Sequence, residues 1–297
     1  MKKRQKQKKS LPTKNIITWI SAIILLAIII ATITAPLWIS QSPFEMAPKQ
    51  RLLPPSSEHW FGTDNFGRDL FARTVYGARV SLIVGFFTAI ITTVIGSVIG
   101  LFTGYYKILD SIIMRIVDGM MAFPPILLSI ALVAAMGGSV PNIIIALVLT
   151  SIPSMVRIVR ASTMQVKRMQ YIEAAKASGS KDISILFKHI YPNVITPIIV
   201  QATFLFANAI LVEAALSFLG VGVQPPTPTW GNILGDSKSF LTLAPWFSVC
   251  PGIAIVLSVL SLNLLGDSLR DYMDPRSSNR HLRKVKKSNV EKGEANA

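Results

Sequence analysis

Apolar residues in this chain come in long blocks separated by shorter polar stretches. The blocks cover residues 16–39, about 80–102, about 112–135, about 143–158, about 197–219 and about 246–265. A helix of ~20 such residues crosses a hydrocarbon core of ~30 Å. The pattern therefore predicts an all-α, polytopic membrane protein with six transmembrane helices. The first block follows a lysine-rich start, as a signal peptide would, but at ~24 residues it is too long for a signal segment and reads as an uncleaved span. The third block contains Phe123-Pro124-Pro125. Two prolines remove backbone donors and kink or break a helix. Such breaks are tolerated where protein or a water-filled path satisfies the freed groups, which makes Pro124 and Pro125 candidate pathway or helix-contact residues.

One polar island stands out between the fourth and fifth blocks. It runs Glu173-Ala174-Ala175-Lys176-Ala177-Ser178-Gly179 and on to His189-Ile190-Tyr191-Pro192-Asn193. The first part favours a helix, kept slim by its alanines. Gly179 suits the left-handed turn that ends a helix. Beyond it, Ile183, Leu186, Phe187 and Ile190 fall at helical spacing and predict one apolar stripe, with Lys181 and Lys188 off it. Pro192 is expected to close this second helix. The island thus predicts a compact helix–turn–helix with two usable faces.

Composition agrees with the membrane assignment. Of 297 residues 51% are hydrophobic and 15% charged, against about 25% charged in soluble domains. The net charge of +15 raises nucleic acid as a partner, but its distribution follows topology instead. With the N-terminus inside, the inner segments hold seven Lys/Arg (1–14), two (Lys107, Arg115), seven (157–188) and eight (from Arg270), which is 24 of the 30. This is a positive-inside bias, with both termini and the Glu173 island in the cytoplasm and the basic segments in contact with anionic lipid. No basic cluster on one folded face supports nucleic-acid binding. The division that follows is a basic tail (1–15), a first helix (16–39), an extracytoplasmic loop (40–78), a five-helix domain (79–268) holding the island at about 162–193, and a second basic tail (269–297).

Little in the sequence suggests catalysis or a resident cofactor. Cys250 is the sole cysteine, and His59, His189 and His281 lie in different segments, which argues against a metal site within one chain. Gly179-Ser180-Lys181 lacks the first glycine and the strand of a phosphate loop. Among acids near the apolar blocks, Asp118 lies three residues from Arg115 and can pair with it, Asp267 sits beside Arg270, and Glu213 is deepest. Intramembrane charge is costly and marks a functional candidate, so Glu213 joins the pathway or helix-contact residues. Between Gly62 and Arg79, Asp64, Arg68, Asp69 and Arg73 supply both signs at helical spacing, as in a short helix at the membrane surface or a solvated loop helix. An ion-gradient-driven secondary transporter is the alternative class, and it would need more intramembrane ionisable residues and repeated, interrupted spans.

Glu173-Ala174-Ala175, three further residues, Gly179 and a helix closed by Pro192 resemble the "EAA" loop of ABC importer permeases. His189 and Tyr191 stand where the general pattern has Ile and Leu. The resulting His-x-x-Pro-Asn is similar to the dipeptide/oligopeptide/nickel branch. Gly62 to Arg79, Leu216-Ser217-Phe218-Leu219-Gly220-Val221-Gly222-Val223-Gln224-Pro225-Pro226 through Trp230-Gly231, and Asn263 to Asp271 with Asp274-Pro275-Arg276 resemble the same branch. The resemblance runs from about residue 59 to 276. It implies a bacterial cell-membrane permease subunit working by alternating access. It further implies docking of a separate ATPase through Glu173, Ala174, Ala175 and Gly179. The implied partners are a second homologous permease (a heterodimer), two ATP-binding subunits that use the ATP, and an extracytoplasmic substrate-binding protein. This chain itself would bind no cofactor. Implied substrates are di- and oligopeptides, nickel or metal chelates, or glutathione.

Overall fold

The computed structural model describes residues 16–273. The basic segments 1–15 and 274–297, with Asp274-Pro275-Arg276 and His281, lie outside the described residues. The longest helices are α1 (Ile16–Trp38), α2 (Leu70–Tyr105), α5 (Val140–Lys167), α8 (Tyr191–Phe218) and α10 (Trp246–Met273). Among the described residues five helical elements are long and apolar enough to span a membrane. The pair α3 (Lys107–Met121) and α4 (Pro125–Met136), bent by 85°, makes a sixth if it is one broken span. Pro125 opens α4 at a position where a missing N–H costs nothing, so the expected break becomes a sharp corner.

At the centre α2 packs along α5. Gly96, Gly100 and Gly104 present bare backbone, and Met155, Val159 and Thr163 of α5 sit against them at the same four-residue step. A Cβ at Gly100 would lie 2.7 Å from that of Val159. The close approach therefore depends on the glycines. α8 packs against α2, α5 and α10, while α1 lies outermost against α10 and α2. Thr18 and Ser268 join α1 to α10 through their hydroxyls at 2.7 Å.

Several boundaries differ from the sequence expectation. α2 starts at Leu70, not near 80, because the Asp69 carboxylate caps it by accepting from Ala72 N–H at 2.7 Å. The boundaries expected at 78/79 and 268/269 fall inside α2 and α10. Residues 62–69 form neither the surface helix nor the solvated loop helix expected. They make a tight loop closed by a Thr63–Asp69 bridge, with Gly67 at φ +75° against the Ala47 carbonyl, where a Cβ would collide. Pro192 does not end the helix. One helical element runs from α7 (Asp182–Ser184) through a wide π turn (Ile185–Ile190) into α8. The wide turn displaces the carbonyls that Pro192 would strike, and the Asn193 amide donates to the His189 carbonyl at 2.6 Å. It also changes the buried stripe. Ile185, Leu186 and Ile190 are buried, whereas Ile183 and Phe187 are about half exposed.

Candidate functional site

The island folds into α6 (Gln170–Ala177) followed by a tight reversal. Ser180 N–H donates to the Ala175 carbonyl at 3.1 Å and Gly179 N–H to the Lys176 carbonyl at 2.9 Å. This is the paired closure that needs a left-handed residue after the helix. Gly179 supplies it at φ +80°. Glu173, Ala174 and Gly179 are exposed on this corner, Ala175 is half-buried, and no atom lies within 4 Å of where a Gly179 Cβ would be. Ile172 of α6 is fully buried and anchors the helix from beneath in the cluster that holds Ile185, Leu186 and Ile190.

A second anchor involves a residue that the sequence gives no reason to single out. Tyr105, the last residue of α2, is 4% exposed. Its hydroxyl donates to Asp182 Oδ1 at 2.5 Å, just beyond the Gly179 turn. Lys167, at the end of α5, donates to the Tyr105 carbonyl at 2.5 Å, and the ammonium groups of Lys167 and Lys176 lie 4.9 and 5.3 Å from its ring. One side chain thus ties α2, α5, α6 and α7 together. Tyr105→Phe should cost about 1–3 kcal/mol at this corner by removing a hydrogen bond to a carboxylate. Faster protease cleavage between Ser178 and Lys181 in membranes, with cleavage elsewhere unchanged, is the expected sign. Asp182→Asn keeps an acceptor and should cleave at nearly the native rate. Equal cleavage of Tyr105→Phe and the native chain would remove the anchor role.

Next to this corner, α3 is held to α5 by two ion pairs. Asp110 pairs with Arg160. Asp118 pairs with Arg157 at 2.6 Å, not with Arg115 as the sequence spacing suggests, because α3 turns Asp118 toward α5. Pro124 and Pro125 are exposed on the chain's surface at the α3–α4 corner. Glu213 is fully buried elsewhere, accepting from Ser81 Oγ of α2 and from Ser217 Oγ, both at 2.8 Å. It joins α2 to α8 and does not meet the two prolines. Ser217 also accepts from Val223 N–H at 3.2 Å, fixing the loop after α8.

At the opposite end of α2, two of the stretches singled out in the sequence meet. Asp64, fully buried, takes Arg68 Nε at 2.5 Å and lies 3.3 Å from Arg73 Nε. Arg68 Nη2 lies 3.5 Å from Asp236 of α9 (Trp230–Ser237). Burial pushes the Asp236 carboxyl above its ordinary value, with Arg73 and Arg68 pulling the other way. Trp230, also buried, donates from Nε1 to the Thr74 carbonyl at 2.9 Å. The charges expected on a solvated surface are instead an internal brace.

The family model described as "Binding-protein-dependent transport system inner membrane component" matches residues 92–279. The dipeptide transport system permease protein DppC of Alkalihalophilus pseudofirmus is 49% identical over 89% of this chain and 87% of its own length. The chain belongs to this family. The permease is also 44% identical to a putative peptide transport system permease protein of Brucella suis, over 86% of this chain and 87% of that one. The glutathione transport system permease protein GsiD of Escherichia coli is 46% identical over 75% and 74%. An inward-facing structure of the MetNI methionine ABC transporter aligns with a TM-score of 0.59 at 18% identity, covering 69% of this chain and 98% of that one; the likeness is one of fold. The permease is therefore a multi-pass inner-membrane subunit of a binding-protein-dependent ABC importer, a transport component that works with ATPase and substrate-binding partners. The ion-gradient alternative falls away.

Proposed function

We propose that this permease forms half of the translocation pathway of a peptide importer, as one member of a heterodimer with a second, homologous permease. The exposed Gly179 turn carries the proposal. It offers Glu173, Ala174, Ala175 and Gly179 as the docking surface for one of two ATPase subunits. These subunits bind and hydrolyse the ATP, and this chain binds none. The names of the relatives support di- or oligopeptides as the cargo, with glutathione as the neighbouring choice; nickel and metal chelates rest on the sequence resemblance alone. Pro124, Pro125 and Glu213 remain the pathway and helix-contact candidates, and the burial of Glu213 between α2 and α8 supports the second role for it. Basic segments face the cytoplasm with both termini and contact anionic lipid.

Uptake of labelled dialanine, glutathione and nickel by proteoliposomes holding the full complex with its binding protein tests this function. ATP-dependent dialanine uptake is expected, and its absence would overturn the peptide assignment. Topology has its own test. In a Cys250→Ser background, cysteines at Ser178 and Ser57 should react with a membrane-impermeant reagent from the cytoplasmic and outer sides, respectively. An outward Ser178 would put the turn beyond reach of ATP and end the docking proposal.

A further inference from the structure

A cleft of about 150 Å³ opens between α4, α5 and α8. Its walls carry Ser129, Thr150, Ser151, Ser154 and Asn208. Asn208 is exposed, ~15 Å along α8 from its Phe218 end, at a depth where a carboxamide facing hydrocarbon is costly. Among the described residues, no hydrogen bond is made by its amide. A smaller cavity of about 50 Å³ shares Pro125, Thr150 and Ser154 with the cleft and is also lined by Met120 and Met121. Just before these methionines lies Asp118, whose pair with Arg157 leaves the two side chains 57% and 46% exposed. An exposed carboxamide, an exposed ion pair and a broken helix therefore lie near one another along these two cavities. Each is unfavourable against lipid, and each is satisfied by water or a polar occupant.

We infer that this cleft is a binding subsite for amide-bearing substrate during its passage, a step that rests on the importer function proposed above. The hydroxyl protons are already committed. Ser129 donates to the Pro125 carbonyl at 2.8 Å, Thr150 to that of Ala146 at 3.0 Å, and Ser154 to that of Ser151 at 2.8 Å. Ser129, which is 1% exposed, and Thr150 also share a hydrogen bond at 3.1 Å, so the Ser154 oxygen is the one left as an acceptor suited to a peptide N–H. Asn208 adds both a donor and an acceptor, matching a peptide carbonyl and N–H together. The cleft walls carry no charge, so they hold the main chain of a peptide without selecting its side chains. Glu213 takes no part. Its neighbour Val212 lines the cleft while Glu213 points to α2.

Cys250 is the chain's sole cysteine, so Asn208→Cys in a Cys250→Ser background reports on this position within the assembled complex. A cationic, water-soluble thiol reagent should modify it, and saturating dialanine with the binding protein should slow that modification. Modification only by a lipid-phase maleimide would put Asn208 against lipid and overturn the subsite. Reaction with neither reagent would show the cleft closed off in the assembled complex and overturn it too. Asn208→Leu should lower dialanine uptake about tenfold with ATPase co-purification unchanged, while Asn208→Ser, which keeps a polar group, should retain most of it. Undiminished uptake by Asn208→Leu overturns the subsite and leaves the importer function standing. A native complex that moves no dialanine overturns the function, and the accessibility of residue 208 still decides whether the cleft is wet.

Discussion

Gly179→Asp is expected to leave the permease inserted in the membrane and to abolish its attachment to the ATPase subunits. At φ +80° a residue with a Cβ pays about 1–2 kcal/mol of backbone strain. Among the described residues nothing else opposes the substitution, because none of their atoms lies within 4 Å of the added Cβ. The chain should therefore fold. The new side chain and its charge would instead stand on the surface proposed to enter the ATPase cleft, beside Glu173. Disrupting a desolvated contact of this kind costs about 2–5 kcal/mol, roughly thirtyfold to several-thousandfold in affinity. Glu173→Ala removes one exposed carboxylate and should give a weaker form of the same defect. Co-purification of the ATPase subunits with each variant, alongside uptake, is the measurement. Normal assembly and uptake with Gly179→Asp would leave the turn an ordinary hairpin.

Asp64→Ala should be the most destabilising substitution in the chain's opposite end. Asp64 is fully buried and accepts from Phe66 N–H, Arg68 N–H and Arg68 Nε at 2.8, 2.9 and 2.5 Å. Without it, among the described residues the buried guanidinium groups of Arg68 and Arg73 keep Asp236, at 3.5 and 3.9 Å, as their acidic partner. Breaking a buried pair from one side costs about 3–5 kcal/mol. Asp118→Ala gives the contrast. Its pair with Arg157 is about half exposed on both sides, and such pairs contribute about 0–1 kcal/mol. Thermal unfolding of the two variants in detergent should separate them clearly. Equal, small shifts would mean that the Asp64 network does not brace the fold.

The blocks of apolar residues were legible because a membrane span needs length and hydrophobicity, both local properties. Gly179 was legible for a similar reason, since a slim helix followed by glycine specifies its own ending. What failed was decided by partners distant in sequence. Spacing alone put Asp118 with Arg115, but α5 presents Arg157. Asp64, Arg68 and Arg73 have the spacing of an exposed helix, and they are covered by α9 folding back with Trp230 and Asp236 and by the loop that brings the Pro43 carbonyl to Arg73. Pro192 misled because a proline rule assumes an α-helical turn before it, and the preceding turn is wider. Tyr105 carried no local signal, since its role arises from Asp182 77 residues away. Asn208 did carry one, a carboxamide within an apolar block, though Gln201 in the same block carries it too.

The helical element from Asp182 to Phe218 is unbroken over 37 residues, ~55 Å. The Gly179 turn, proposed above as the docking surface, thus leads directly into an element that includes a membrane span. Near the far end, Glu213 and Ser217 fasten the same element to α2 and to the loop that follows. The element's near end is tied to the same helix, because the Tyr105 hydroxyl of α2 holds Asp182. A push on the Gly179 corner would therefore be passed to α2 and α8 together, as one braced pair, and not to α8 alone.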